Sequence, residues 1–91
     1  MFHRIDCVLP LSDYRLCIRF AEGVSKEYDV KPLFDKWPAF QELKAENTFN
    51  NVRIDPGGYA VIWSDNLDLS CDELFENGKS ISGETISASK G

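Results

Sequence analysis

The chain has 91 residues, of which 43% are hydrophobic, 12% aromatic and 27% charged, with a formal net charge of −5. Length and composition fit one small folded domain and exclude fibrous and wholly disordered classes. No apolar run approaches the ~18 residues of a membrane helix, and the first six residues lack the basic-then-apolar pattern of a signal peptide.

The charge is unevenly placed. Met1 to Arg53 holds eight basic and eight acidic residues, whereas Ile54 to Gly91 holds two basic and seven acidic ones. Between Arg53 and Lys79 every charge is negative: Asp55, Asp65, Asp68, Asp72, Glu73 and Glu76. A phosphate-binding surface needs clustered cations, so direct nucleic-acid binding is not expected. An acidic face is either a solvated rim or a match for a basic protein partner.

Two strands are predicted first. Arg4 to Leu9 alternates with Ile5, Cys7 and Leu9 on one face, and Tyr14 to Phe20 with Tyr14, Leu16, Ile18 and Phe20. A two-residue turn at Ser12-Asp13 pairs Leu9 with Leu16, Cys7 with Ile18 and Ile5 with Phe20, leaving Cys17 on the face opposite Cys7. Ala21-Glu22-Gly23 suits a three-residue hairpin with Gly23 left-handed, which sets Leu16 across from Tyr28 and Arg15 across from Asp29. The third strand, Val24 to Val30, carries Lys26 and Glu27 as edge-protecting charges, and Lys26 should pack its stem and leave its ammonium in water.

Pro32 ends that strand. Leu33, Phe34 and Trp37 follow in a short turn or single helical turn, and Pro38 opens a helix running to about Ala45 with Phe40 and Leu43 inward. Phe49 tucks in from a connector. A second hairpin turns at Asp55-Pro56-Gly57-Gly58, pairing Ile54 with Tyr59 and Val52 with Val61. Tyr59 to Trp63 is apolar throughout, the pattern of a central strand covered on both faces. Ser70 and Glu73 form a capping box for a last helix, with Leu69 and Leu74 as its staple and Asn77-Gly78 as its stop. Residues 79–91 are expected to form a disordered Ser/Gly-rich tail behind a folded domain spanning residues 1–78. The expected architecture is α+β: an antiparallel sheet of about five strands, in two hairpin units, with two short helices.

Little in the chain points to bond-making chemistry. Cys7, Cys17 and Cys71 form no C-x-x-C pair and read as reduced thiols of a cytoplasmic protein. His3, the single histidine, stands a few residues before Cys7, too far for proton transfer along a strand. Asp65 to Glu76 has the length of a calcium loop but places Leu67, Leu69 and Ser70 where oxygen ligands and glycine are needed. Asp55 and Asp65 would lie at opposite ends of their hairpin, which separates them for acid–base work. Asp55-Pro-Gly-Gly has neither the helix nor the lysine of a phosphate loop. Trp37, Trp63 and Tyr59 are core or pocket aromatics, and Trp37 beside Pro38 is the better interaction candidate.

Three stretches carry a family likeness: Phe20-Ala-Glu-Gly23 through Tyr28-Asp-Val-Lys-Pro32-Leu33, then Val52-Arg-Ile-Asp55-Pro-Gly-Gly58, then Val61-Ile-Trp63 leading to Leu67-Asp68-Leu69-Ser70 and Asp72-Glu73-Leu74-Phe75. In this order they resemble domain of unknown function 2442, a family of small bacterial proteins. The resemblance implies an α+β fold and a bacterial, cytosolic setting. Some members continue into a helix-turn-helix DNA-binding domain, and others look like partners of small neighbouring proteins in the manner of toxin–antitoxin pairs. Here only a serine-rich segment follows Phe75, so DNA binding is not implied. The family supplies no catalytic residues.

The expectation is therefore a non-enzymatic protein-interaction module that needs no cofactor or metal and no membrane. It would engage a protein partner or a second copy of itself, with Trp37, Asp65, Asp68, Asp72 and Glu76 as the candidate surface. Two alternatives stand beside it. One is an antitoxin-like regulatory component acting on nucleic acid through a partner. The other is a small-molecule or catalytic site near Trp63, Asp65 and Asp68.

Overall fold

A computed structural model describes residues 3–45, 47–64 and 67–81. Its first hairpin joins β1 (Ile5–Leu11) to β2 (Arg15–Phe20), and the register differs from the simplest expectation in two places that cancel. The loop has three residues, Ser12–Tyr14, so Leu11 pairs with Arg15. An extra residue then bulges from β1 between Ile5 and Cys7, which restores the expected pairing of Ile5 with Phe20.

Tyr14 explains the longer loop. Drawn out of the strand, its ring meets Phe34 and Phe49 edge-on at 5.1 and 5.3 Å. Its carbonyl accepts from the Val30 amide at 2.9 Å. Asp13 and Tyr14 take left-handed backbone, φ 64° and 57°, to make the turn. Between loop and bulge every side chain of β1 changes face. Val8 packs on the core in place of Cys7, and Cys7 now stands on the outer face with Cys17 instead of opposite it.

β3 (Ser25–Asp29) joins through Gly23, whose φ of 95° only glycine adopts freely, and the expected pairs Leu16–Tyr28 and Arg15–Asp29 form. Arg15 nevertheless extends diagonally to Glu27 at 2.8 Å, because Asp29 is taken by Lys31 at 3.0 Å. Leu16, Ile18 and Phe20 are wholly buried, as their alternation predicts.

α1 (Lys31–Lys36) and a 3-10 helix, Pro38–Lys44, follow. The second hairpin comprises β4 (Arg53–Ile54) and β5 (Ala60–Ser64). Its register runs Ile54 to Val61 and Arg53 to Ile62, two residues beyond the expected pairing and so on the same faces. Asp55 lengthens the loop, since its carboxylate takes the amides of Tyr59 and Ala60 at 2.7 and 3.2 Å. β6 (Leu67–Ser70) pairs on the other side of β5, and α2 (Cys71–Asn77) leaves from its end.

The sheet is therefore two sheets. β5 is central, as its composition suggests, but in a separate three-stranded sheet β4-β5-β6. One face of β5 is buried through Val61 and Trp63, while Ala60 and Ile62 are half-buried and Tyr59 is exposed, so cover on both faces is incomplete. The other sheet has the order β1-β2-β3-β7. Its last strand, β7 (Lys79–Ile81), lies in the segment expected to be a tail. The free backbone groups of β3 recruit it through the pairs Ser25–Ile81, Lys26–Ser80 and Glu27–Lys79. The folded body thus extends past residue 78, and β3 is an interior strand. The rest of the expected tail, residues 82–91, lies outside the described residues. One core joins both sheets and both helices, and Ile5 N–H links the sheets through Gly58 O at 2.8 Å.

Candidate functional site

Trp37 owes its position to its neighbours. Helical backbone is disfavoured for a residue before proline, and Trp37, before Pro38, is extended (φ −131°, ψ 105°) between α1 and the 3-10 helix. Its amide still closes α1 onto Leu33 O at 2.8 Å, and its carbonyl accepts from Phe40 N at 2.9 Å. Gln41 Nε2 ties the two helices together through Phe34 O at 2.7 Å. The indole is fixed at its root and 55% exposed.

Beside it runs a groove of about 410 Å3 between the α1 and 3-10 segment and β6. Buried Leu33, Phe40, Leu67 and Leu69 line it, with Phe40 backed edge-on by Trp63 at 6.2 Å. The Trp63 indole N–H is satisfied by Phe49 O at 3.1 Å, so this second tryptophan is committed to the core. The rim carries Trp37 and Lys36 on one side and Asp68, Ser70 and Glu73 on the other.

Of the sequence candidates, the groove brings Trp37 and Asp68 together. Asp72 and Glu76 are exposed one turn apart on α2, away from the groove lining. Asp65 lies outside the described residues. The sequence reading missed Lys36, Phe40 and Glu73 as site residues. It placed Phe40 in the core and Glu73 in a capping box, and no spacing pattern marks a wall shared by two distant segments. The cap is real: Ser70 Oγ accepts from Glu73 N at 3.1 Å. The Glu73 carboxylate, however, accepts from Tyr28 Oη at 2.7 Å.

Several other polar side chains have partners away from the groove. His3 Nδ1 meets Glu22 at 2.9 Å, and its ring stacks on Phe75 with centroids 3.5 Å apart. The Lys26 ammonium lies over the same Phe75 ring at 4.5 Å, which requires the ring's other face. Burial, with the adjacent Cys7 and Glu27, pushes the Cys17 thiol up. Hydrogen bonds to Asp13 and Asp29 hold the Lys31 ammonium above its usual range. Among the described residues no three His, Cys, Asp or Glu side chains gather to hold a metal ion, and no helix is long and apolar enough to cross a membrane.

A family model described as "Protein of unknown function (DUF2442)" matches residues 5–80, nearly the whole described body. The chain belongs to this family. No curated protein and no solved structure matches it. For this member of the family the α+β expectation holds, in the form of two antiparallel sheets with short helices.

Proposed function

We propose that this DUF2442 chain is a non-enzymatic protein-interaction module, and that the groove between Trp37 and β6 receives a basic and apolar segment of a partner protein. The observation behind this reading is the indole of Trp37, held at a helix junction, half in solvent and at the mouth of an apolar trough. Exposed tryptophans beside well-packed pockets are the usual anchors of binding energy.

Charge indicates the kind of partner. On the rim Asp68 and Glu73 outnumber Lys36. They steer a cationic segment towards the groove and disfavour a second copy of a chain carrying −5. Three free thiols favour a reducing, cytoplasmic setting. An antitoxin-like role is a narrower form of the same reading, in which the partner supplies any contact with nucleic acid.

The test is affinity capture from native lysate with tagged wild-type chain and with Trp37→Ala. The expected result is a stoichiometric partner on wild type and its loss on the variant, with far-UV circular dichroism unchanged. A partner held equally well by Trp37→Ala, or a wild-type chain that recovers none, would contradict the proposal.

A further inference from the structure

We infer that the groove's occupant is an extended strand, added to the free edge of β6 and carrying basic residues towards Asp68. The inference rests on the groove being the docking site and adds how, and by what chemistry, it is filled.

The Cys71 N–H donates to Tyr59 O at 2.8 Å, which makes Tyr59 and Cys71 a bonded pair in line with the β5–β6 register. Bonded and non-bonded pairs alternate along an antiparallel ladder. Val61–Leu69 is therefore bonded, whereas Ala60–Ser70 and Ile62–Asp68 are not. It follows that the N–H and C=O of Asp68, and the N–H of Ser70, point away from β5. The Ser70 carbonyl is turned to the first bond of α2, as in any N-cap.

β6 is the last strand of its sheet, and all four of its residues line the groove. Three backbone groups are thus presented along one wall, with no backbone partner among the described residues. The facing wall is apolar and ends in Trp37. An added strand pairs with such an edge through its main chain and reads pockets with alternate side chains. Here one set of side chains meets Leu33, Phe40 and Trp37. The charge near the opposite rim, Asp68 with Glu73, selects lysine or arginine in the other set.

The test uses the full chain and four synthetic peptides, the first three of six residues, followed by amide and indole NMR. The first peptide alternates lysine with valine or leucine. The second is identical but N-methylated at alternate residues, which removes its strand donors. The third replaces lysine by glutamate, and a fourth rearranges the first to helical spacing in a longer, helix-stabilised form.

The expected result is that the first peptide protects the Asp68 and Ser70 amides from exchange and shifts the exposed Trp37 indole, leaving the buried Trp63 indole in place. N-methylation should weaken binding about tenfold or more, since at least one main-chain hydrogen bond is lost. Equal binding of the N-methylated or helical peptide at Trp37 would overturn strand addition, and equal binding of the acidic peptide would overturn the selection of basic residues, each leaving the groove as a docking site. Failure of every peptide to shift the Trp37 indole would also overturn strand addition. Trp37-dependent capture of the native partner decides the broader reading separately.

Discussion

The hydroxyl of Tyr28 on β3 donates a 2.7 Å hydrogen bond to Oε2 of Glu73 on α2, tying one sheet to the helix that carries the groove's acidic rim. Burial, that hydrogen bond and the carboxylate's charge all resist ionisation of the phenol, and its pKa lies above the ordinary value of 10.0. A group whose folded pKa is raised stabilises the fold fully below its unfolded pKa, and this contribution is lost as pH rises towards the folded value. Urea midpoints should therefore be insensitive to this group up to about pH 9 and decline above about pH 10. Tyr28→Phe should remove the part of the decline due to Tyr28, and an identical alkaline profile for the variant would contradict the assignment.

The bulge in β1 makes a chemical prediction. Cys7 is exposed, Cys17 is partly covered and its thiol is pushed up, and Cys71 is buried. Thiolate fraction and access govern alkylation, so iodoacetamide should modify Cys7 first, Cys17 more slowly and Cys71 only on unfolding. Peptide mass spectrometry over a time course reads the order. Protection of Cys7 at the rate of Cys71 would restore the unbulged register, in which Cys7 faces the core.

Much of this fold is legible in the sequence where a side chain and its local spacing decide the outcome. Gly23 fixes the β2–β3 hairpin, Pro38 and the Phe40–Leu43 spacing fix the 3-10 segment, and Ser70 fixes the start of α2. What is not legible depends on distant partners. Tyr14 leaves its strand because Phe34 and Phe49 offer a better contact, and Asp55 consumes amides that a shorter hairpin would pair. β7 is too short and polar to announce itself, and exists because β3 presents a matching edge. Trp37 is visible as an interaction candidate, but its groove is assembled from segments some thirty residues apart.

The capping of α2 sets a stability scale. Ser70→Ala removes the bond to Glu73 N and should cost about 1 kcal/mol in urea unfolding. Ser80 is exposed on β7, so Ser80→Ala should change stability by less than about 0.5 kcal/mol. Equal effects at the two sites would remove the cap from the account.

Gly78 is required by space and not by a left-handed backbone, since its φ is −78°. A Cβ there would sit 2.5 Å from Leu74 O and 3.0 Å from Lys26 Cβ, where α2 turns into β7. Gly78→Ala should destabilise the chain by about 1–3 kcal/mol, as overpacking does. Hydrogen exchange should show the loss first in Lys79–Ile81. A neutral substitution would mean that α2 and β7 part more easily than their packing implies.

Hydrogen–deuterium exchange on the chain alone and in complex with its captured partner tests the docking surface most directly. New protection is expected over residues 67–70 and around Trp37, with the outer face of β1 and β2 unchanged. Protection confined to Cys7, Leu9 and the rest of that outer face, with the groove exchanging as freely as before, would contradict it.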